Sequence, residues 1–157
     1  VPGFPRPGIL FRDIMPLLRA QFAPTIAALD GLLAESEWDG VDAIAGIESR
    51  GFILGAALAL KRGRGFIPIR KQGKLPPPVA SLSYSLEYGE ATLEMQRGTG
   101  RLIIVDDVLA TGGTMAAATQ LCAGTGYTPV ALLALLDLGV VPGLRCNGMA
   151  VRAALHY

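Results

Sequence analysis

The residues best suited to chemistry lie between Ile103 and Thr114, in the sequence IIVDDVLATGGT. Two acidic residues, Asp106 and Asp107, end an apolar run that is typical of a buried strand. A turn with two glycines and two threonines follows, and a helix is predicted to begin at its end. Backbone N–H groups of such a turn bind phosphate, and the positive end of a helix dipole helps them. Because the adjacent carboxylates favour hydroxyl groups or a hydrated cation, the combination predicts a site for a sugar phosphate with a free diol.

Positively charged residues occur in two other loops that follow predicted strands. Arg50 follows the first predicted strand, and a basic cluster of Arg70, Lys71 and Lys74 follows the second. In an open α/β sheet, the loops at the carboxyl ends of the strands converge on one edge, where ligands bind. We therefore expect these cations to lie near the turn from Ala110 to Thr114, here called the phosphate turn, and to bind a polyanion. By composition alone, the basic cluster would also fit a solvated basic turn.

The elements that must position these residues follow from the hydrophobic pattern of the chain. Apolar runs of strand length alternate with segments of helical periodicity. Strands are predicted at 41–47, 66–69, 101–107, 130–138 and 151–156, and helices at 24–37, 51–62 and 114–123. Because the strands are continuously apolar, the pattern predicts an α/β fold with a mainly parallel central sheet flanked by helices.

Two segments do not fit this alternation. The first, 1–18, is rich in proline and glycine, and we expect it to form an ordered arm. The second, 71–96, contains three consecutive prolines and many polar residues, which indicates a loop or hairpin outside the core. The strand–turn–helix unit that holds the acidic pair covers 101–125, and the whole chain, 1–157, is predicted to be a single domain.

The composition excludes several classes of protein. Hydrophobic residues make up 51% of the 157 residues and charged residues only 17%, a balance that excludes an intrinsically disordered chain. The net charge of +1 argues against a broad nucleic-acid-binding surface. No apolar run reaches the ~20 residues that span a membrane. Cys122 and Cys146 form no metal-binding or disulfide pattern, so we expect two reduced cysteines and a cytoplasmic location.

The segment Ile103–Thr114 resembles the phosphoribosyl pyrophosphate (PRPP) signature of type I phosphoribosyltransferases. Four further segments are similar to the adenine phosphoribosyltransferases in particular, and they occur in that family's order: VPGFPRPGILFRDIMPLL, AGIESRGFILG, IPIRKQGKLP and YSLEYGEATLEMQ. Together they cover nearly the whole chain. The resemblance implies the type I phosphoribosyltransferase fold, with an N-terminal hood at 1–18 and a flexible flap at 71–96. It also implies transfer of the phosphoribosyl group of PRPP to adenine, which gives AMP and pyrophosphate.

The resemblance further implies which residues bind PRPP. They are Arg50, Arg70, Lys71, Lys74, Asp106, Asp107, Ala110, Thr111, Gly112, Gly113 and Thr114. The two aspartates would hold the ribose hydroxyls, and the turn from Ala110 to Thr114 would hold the 5′-phosphate. The four cations would bind the pyrophosphate, partly across a dimer interface.

The resemblance also implies roles around the purine. Glu87 would be the acid–base residue that manages the proton at N7 while N9 attacks, and Tyr88 would help the flap to close and exclude water. In the hood, backbone groups at Leu10, Phe11 and Arg12 would bind the adenine edge, with an aromatic ring stacked on the base. By composition alone, Glu87 would simply be a surface acid and Phe11 a core residue.

Magnesium, a homodimer and small-molecule substrates complete the implied activity. Mg²⁺ binds diphosphates and keeps several waters, so we expect it to arrive with PRPP rather than in a cage of protein ligands. The chain departs from the family pattern at Met15, where threonine or serine is usual, and at Pro77, where glycine is usual. Pro77 removes an N–H donor and predicts a stiffer flap hinge.

Three other functions stay open from the sequence. The protein could act on another purine base within the same fold, although Phe11–Ile14 and Glu87 speak against that. It could be a regulatory protein that binds PRPP without catalysis, although the sequence contains no recognisable helix-turn-helix or basic patch. It could also bind a sugar phosphate and nothing more, and only turnover decides against that reading.

Overall fold

Eight strands form one sheet within the residues that the computed structural model describes, which are 1–4, 7, 11–86 and 89–157. Along the chain the strands are β1 (Ala43–Ile47), β2 (Gly65–Lys71), β3 (Ala80–Leu86), β4 (Gly89–Met95), β5 (Gly100–Leu109), β6 (Tyr127–Asp137), β7 (Arg145–Cys146) and β8 (Met149–His156). The helices are α1 (Met15–Asp30), α2 (Glu35–Trp38), α3 (Arg50–Arg62) and α4 (Gly113–Gly124). In the described part of the chain, none of the helices is long and apolar enough to cross a membrane.

Across the sheet the strand order is β3-β4-β2-β1-β5-β6-β8-β7. The central strands β2, β1, β5, β6 and β8 run parallel, whereas β3, β4 and β7 pair antiparallel at the two edges. The predicted α/β fold with a mainly parallel sheet is therefore confirmed. Because β1 lies between β2 and β5, the loops that follow these three strands lie side by side at one edge of the sheet.

Both faces of the central strands β1, β5 and β6 are buried, which explains why these strands are continuously apolar. On β5, Leu102 and Ile104 pack on the side of α4, whereas Ile103 and Val105 pack on the side of α1 and α3. All four of these side chains are completely buried. The alternation places the hydrophobic residues of one strand in two separate cores, one on each face.

The first helix begins earlier than the sequence predicts. The segment 1–18 is expected to be an arm and the helix to start at Pro24, whereas α1 begins at Met15. The helix is kinked at Gln21, where φ is −140° and ψ is 44°. Proline donates no backbone hydrogen bond and crowds the carbonyl four residues earlier, so Pro24 opens a second helical segment just after the kink. The prediction found this second segment and missed the first, and the arm ends at Ile14.

The predicted end of this helix at Glu37 is also wrong. The helix ends at Asp30 with Gly31 as its C-cap, and α2 follows as a separate turn. Leu33 in the connection is nevertheless buried, as is Trp38 at the end of α2. The helical spacing of the apolar residues therefore predicted the burial of Leu33, but neither the break in the helix nor the burial of Trp38.

The segment 71–96 forms the antiparallel hairpin of β3 and β4, here called the flap hairpin, which was one of the two predicted possibilities. Its strand β4 also pairs with the end of β2 and so extends the central sheet. The expectation that the segment lies outside the core is wrong for the base of the hairpin, because Leu93 and Met95 are buried in the core on the α4 side. The flap hairpin is thus anchored at its base.

Candidate active site

The acidic pair lies within β5 rather than at its end. The strand continues to Leu109, because its last residues stay paired with β6. The turn that follows reaches Gly112, whose φ of 87° is in the left-handed region that favours glycine, and α4 begins at Gly113. Among the described residues, no side chain caps α4 and no acid lies in its first turn, so its N–H groups are available to an anion. A cavity of about 90 Å³ lies against this turn.

The two aspartates have different surroundings. Asp107 is buried, and its carboxylate forms an ion pair with Arg50. The backbone N–H of Asp107 donates to the Asp106 carboxylate at 2.8 Å. Although part of Asp106 is exposed, its carboxyl group lies among protein atoms, and this burial, together with the charge of Asp107, raises its pKa well above the usual range. A diol that donates hydrogen bonds to both carboxylates would offset this desolvation.

Arg50 is brought to the acidic pair by the loop between β1 and α3. It is the first residue of α3, and its partner Asp107 is 57 residues away in the sequence. The Arg50 guanidinium also lies 5.2 Å from the centre of the Phe11 ring in the N-terminal arm. One side chain therefore contacts the acidic pair and an aromatic ring of the predicted hood.

A larger cavity of about 750 Å³ opens next to the phosphate turn, between the flap hairpin and the ends of β1 and β5. Small-molecule sites commonly have volumes of roughly 300–1,000 Å³. The polar residues that line this cavity are Glu48, Ser49, Arg50, Lys71, Gln72, Tyr84, Glu90, Thr92, Asp106, Asp107 and Thr114. The structure therefore brings the acidic pair, Arg50, Lys71 and Thr114 together, as the sequence predicts.

The other two members of the basic cluster are held by Glu48, which follows β1. Its carboxylate accepts hydrogen bonds from Arg70 Nε and Nη2 at 2.8 and 2.6 Å, and from Lys74 Nζ at 3.2 Å. Neither Arg70 nor Lys74 lines the cavity of 750 Å³. Burial alone would raise the pKa of Glu48, but hydrogen bonds from Arg70, the Lys71 amide and Lys74 lower it below its ordinary value. The cluster is thus a partly neutralised network rather than three solvated cations.

Comparison with known proteins identifies the family. The phosphoribosyl transferase domain matches residues 23–142. The adenine phosphoribosyltransferase of Hydrogenovibrio crunogenus is 49% identical over 100% of the chain and 92% of that protein. That of Synechococcus sp. (strain JA-3-3Ab) is 54% identical over 91% of the chain and 84% of that protein. The chain belongs to the adenine phosphoribosyltransferase family.

Solved structures of adenine phosphoribosyltransferases have the same fold. The enzyme from Rhodothermus marinus is 41% identical, with a TM-score of 0.87 over 100% of this chain and 92% of that one. The enzyme from Saccharomyces cerevisiae is 37% identical, with a TM-score of 0.88 over 99% of this chain and 92% of that one. The yeast structure was solved with adenine and an imino-altritol bisphosphate. The resemblance seen in the sequence is confirmed by these comparisons.

Two described residues of the predicted hood, Phe11 and Arg12, contact other aromatic residues of the chain. Arg12 stacks on Tyr157, with its guanidinium carbon 3.5 Å from the ring centre. Phe11 is half-buried and packs edge-on against Phe4 at 5.1 Å. Leu10 lies outside the described residues, so its predicted contact with adenine stays a prediction.

The predicted acid–base residue Glu87 and its neighbour Tyr88 also lie outside the described residues. The residues on either side of them, Leu86 and Gly89, pair with each other at the end of the flap hairpin. Their predicted roles at the purine therefore stay predictions.

Six of the polar residues that line the cavity were not predicted from the sequence, and two of them, Glu48 and Tyr84, form side-chain hydrogen bonds with predicted site residues. Nothing local to Glu48 reveals its partners, because they lie at the end of β2 and in the loop that follows. Tyr84 lines the cavity, and its hydroxyl lies 3.1 Å from the Thr114 hydroxyl. The alternation of Ala80, Leu82 and Tyr84 with serines would have revealed that Tyr84 faces inward.

Proposed function

We propose that this member of the adenine phosphoribosyltransferase family transfers the phosphoribosyl group of PRPP to adenine and releases AMP and pyrophosphate. The observation that carries the proposal is the cavity that joins the acidic pair, Arg50 and the first turn of α4. In this cavity the carboxylates can bind a diol, the neighbouring turn can bind a phosphate, and the guanidinium can bind a second anion. The relatives named adenine phosphoribosyltransferase, which match nearly the whole chain, support adenine as the acceptor.

PRPP would bind with its two ends on different loops. The N–H groups and hydroxyls of the turn from Ala110 to Thr114 would hold the 5′-phosphate, and Asp106 and Asp107 would accept hydrogen bonds from the ribose hydroxyls. Arg50 would exchange part of its contact with Asp107 for the pyrophosphate. Lys71 would add a second cation from the end of β2.

The reaction would form the bond from adenine N9 to the ribose C1′ while the bond from C1′ to pyrophosphate breaks. Positive charge would develop at C1′, as in glycosyl transfer generally. Glu87 would accept the proton that adenine loses from N7 as N9 attacks, and the electron pair of the broken bond would leave with pyrophosphate. Tyr88 and the hood residues Leu10 and Phe11 would cover the base and exclude water, which would otherwise hydrolyse PRPP.

Magnesium would bind in this cavity as an ion shared with the substrate. The described residues contain no group of three metal-ligating side chains. Asp106 and Asp107 are adjacent in the sequence and supply only two carboxylates. The ion would take most of its oxygen ligands from the diphosphate and water, with the acidic pair near the ribose. It would neutralise charge on the leaving pyrophosphate.

A homodimer is part of the proposal. The outer face of α3 exposes apolar side chains at helical spacing, at Ile53, Ala56 and Leu60, with Leu60 85% exposed. An apolar stripe of this kind favours burial against a second copy. The resemblance implies that the basic cluster binds pyrophosphate partly across the dimer interface, and Arg70 does not line the cavity of its own chain. Light scattering at micromolar concentration should give twice the 16.4 kDa of one chain, and a monomer would contradict this part of the proposal.

We also propose a cytoplasmic location, since Cys122 and Cys146 are both free and buried. Burial raises the pKa of Cys122 to about 12, so its thiol is protonated and unreactive. A labelling experiment on the folded protein should find both thiols reduced and resistant to alkylation. Rapid alkylation of either thiol without denaturant would contradict the expectation that both are protected by burial.

The function is tested by supplying PRPP and Mg²⁺ with adenine, hypoxanthine, guanine or xanthine in separate reactions and quantifying each nucleotide. AMP from adenine alone is the expected result. Turnover of another base would leave the PRPP site in place and overturn the assignment of the hood. Binding of PRPP without turnover of any base would favour a regulatory protein or a simple sugar-phosphate binder.

A further inference from the structure

We propose that Tyr84 is a positioning residue for the phosphate turn. Its hydroxyl orients the hydroxyl of Thr114 toward the ligand and joins the flap hairpin to the first turn of α4. The inference rests on the proposed function, in which this turn holds the 5′-phosphate of PRPP. It adds a residue to the site that acts through Thr114 rather than on the substrate itself.

The contact joins two parts of the chain that are distant in sequence. Tyr84 Oη lies 3.1 Å from Thr114 Oγ1, and the two residues are 30 positions apart. Both side chains line the cavity of about 750 Å³. The Tyr84 ring passes beside Gly113, where a Cβ would lie 4.0 Å from Tyr84 Cδ2. The ring therefore fits against the start of α4 with no larger side chain between them.

The strand pattern fixes Tyr84 on this side. Along β3, Ala80, Leu82 and Tyr84 are half-buried and pack on the core beside α4. The intervening serines are exposed, and the Ser83 hydroxyl is hydrogen-bonded to the Thr92 hydroxyl of the paired strand at 2.8 Å. Because a shift of one residue would exchange the two faces, the register of the whole hairpin keeps the Tyr84 hydroxyl at the phosphate turn.

The direction of the hydrogen bond determines its effect on the ligand. Each hydroxyl has one hydrogen to donate and lone pairs with which to accept. When Tyr84 donates to Thr114 Oγ1, the hydrogen of Thr114 is left to donate to a phosphate oxygen. Consecutive hydrogen bonds that end on an anion strengthen one another. The position of the flap hairpin thereby affects the strength of phosphate binding, without any proton transfer.

The first test compares Tyr84→Phe with Tyr127→Phe as the matched control. Tyr127 starts β6, at the opposite end of the parallel strands from the cavity, so loss of its hydroxyl should leave the kinetics unchanged. For Tyr84→Phe we expect the KM for PRPP to rise about threefold to tenfold, the range that one neutral hydrogen bond contributes. The KM for adenine should not change. An unchanged KM for PRPP in a folded Tyr84→Phe protein would overturn the inference.

A double-mutant cycle separates positioning from a general structural role. If Tyr84 acts through Thr114, then Tyr84→Phe should have no further effect on the KM for PRPP in the Thr114→Val background. Two effects that simply multiply would show that Tyr84 acts independently of Thr114 and would overturn the inference.

The inference and the proposed function can fail separately. Calorimetric titration with ribose 5-phosphate needs no turnover and reports on the phosphate turn directly. If the wild type makes no AMP but binds ribose 5-phosphate more tightly than Tyr84→Phe does, the proposed function fails while the inference is supported. Equal affinity of the two proteins would overturn the inference whatever the activity, and a wild type that neither makes AMP nor binds ribose 5-phosphate would overturn both.

Discussion

Replacing Gly112 with alanine should damage the phosphate turn through two separate effects. The residue has a φ of 87°, which a residue with a Cβ rarely adopts. A Cβ at this position would also lie 2.2 Å from Leu144 Cδ2 and 3.2 Å from Leu144 Cγ. Leu144 comes from the loop before β7, and its side chain would have to turn away from the phosphate turn to make room for the Cβ.

The magnitude follows from these two effects. A left-handed conformation costs roughly 1–2 kcal/mol for a residue other than glycine, and overpacking costs about 1–3 kcal/mol. Part of this strain will appear as lower stability, and part as a turn that no longer fits a phosphate. We expect the free energy of unfolding to fall by at least about 1 kcal/mol. The Kd for PRPP should rise at least about tenfold, since tenfold corresponds to about 1.4 kcal/mol.

The matched control is Gly124→Ala at the other end of α4. A Cβ at Gly124 would meet no atom of the described residues within 4 Å, and its φ lies outside the left-handed region. Urea unfolding and calorimetric titration with PRPP should give wild-type values for this control. In the double variant Gly112→Ala/Leu144→Ala the overlap is removed, so PRPP affinity should partly recover relative to Gly112→Ala. If Gly112→Ala matched Gly124→Ala in both assays, the reasoning about the turn would be refuted.

Three further predictions concern the acidic residues of the site. Burial and the charge of Asp107 raise the pKa of Asp106, so Asp106→Asn should raise Tm by about 2–4 °C for each 1 kcal/mol of desolvation removed. The same variant should weaken PRPP binding at least about tenfold. The control Asp107→Asn should not raise Tm, and a lower Tm for Asp106→Asn would contradict this explanation. Burial raises the pKa of Glu48, but hydrogen bonds from its cation partners lower it below the ordinary value. The ionised Glu48 therefore contributes to the free energy of unfolding above the unfolded-state pKa of about 4.3, and this contribution is lost as the pH falls below that value. Urea unfolding at pH 6 and pH 3.5 should therefore show a larger acid-induced loss in the wild type than in Glu48→Gln, and equal losses would exclude the network as the cause. Glu87→Gln should lower kcat about 10²- to 10⁴-fold with little change in PRPP affinity, and a wild-type kcat in that variant would remove Glu87 from the acid–base role.

Local patterns carried much of the prediction. Apolar runs and helical spacing predicted the order of the central strands and of α3 and α4, because both faces of these strands are buried and such strands are apolar throughout. The phosphate turn was found because glycine, threonine and acidic residues have local geometric uses that residue identity alone reveals. The same reliance on local signals produced the errors in α1, where Pro24 concealed the helical segment that begins at Met15.

The sequence by itself predicted the family to which the chain belongs, and it singled out the acidic pair, Arg50, Lys71 and Thr114, which the structure brings to one cavity. Only the tertiary structure decided which of those residues contact one another. Arg50 reaches Asp107 across 57 positions, Arg70 reaches Glu48 across 22, and Tyr84 reaches Thr114 across 30. Such contacts depend on the strand order and register of the sheet, which join distant loops at one edge. Residue type and local spacing carry no information about those distances, so the partners of each charged or polar group could not be read from the sequence.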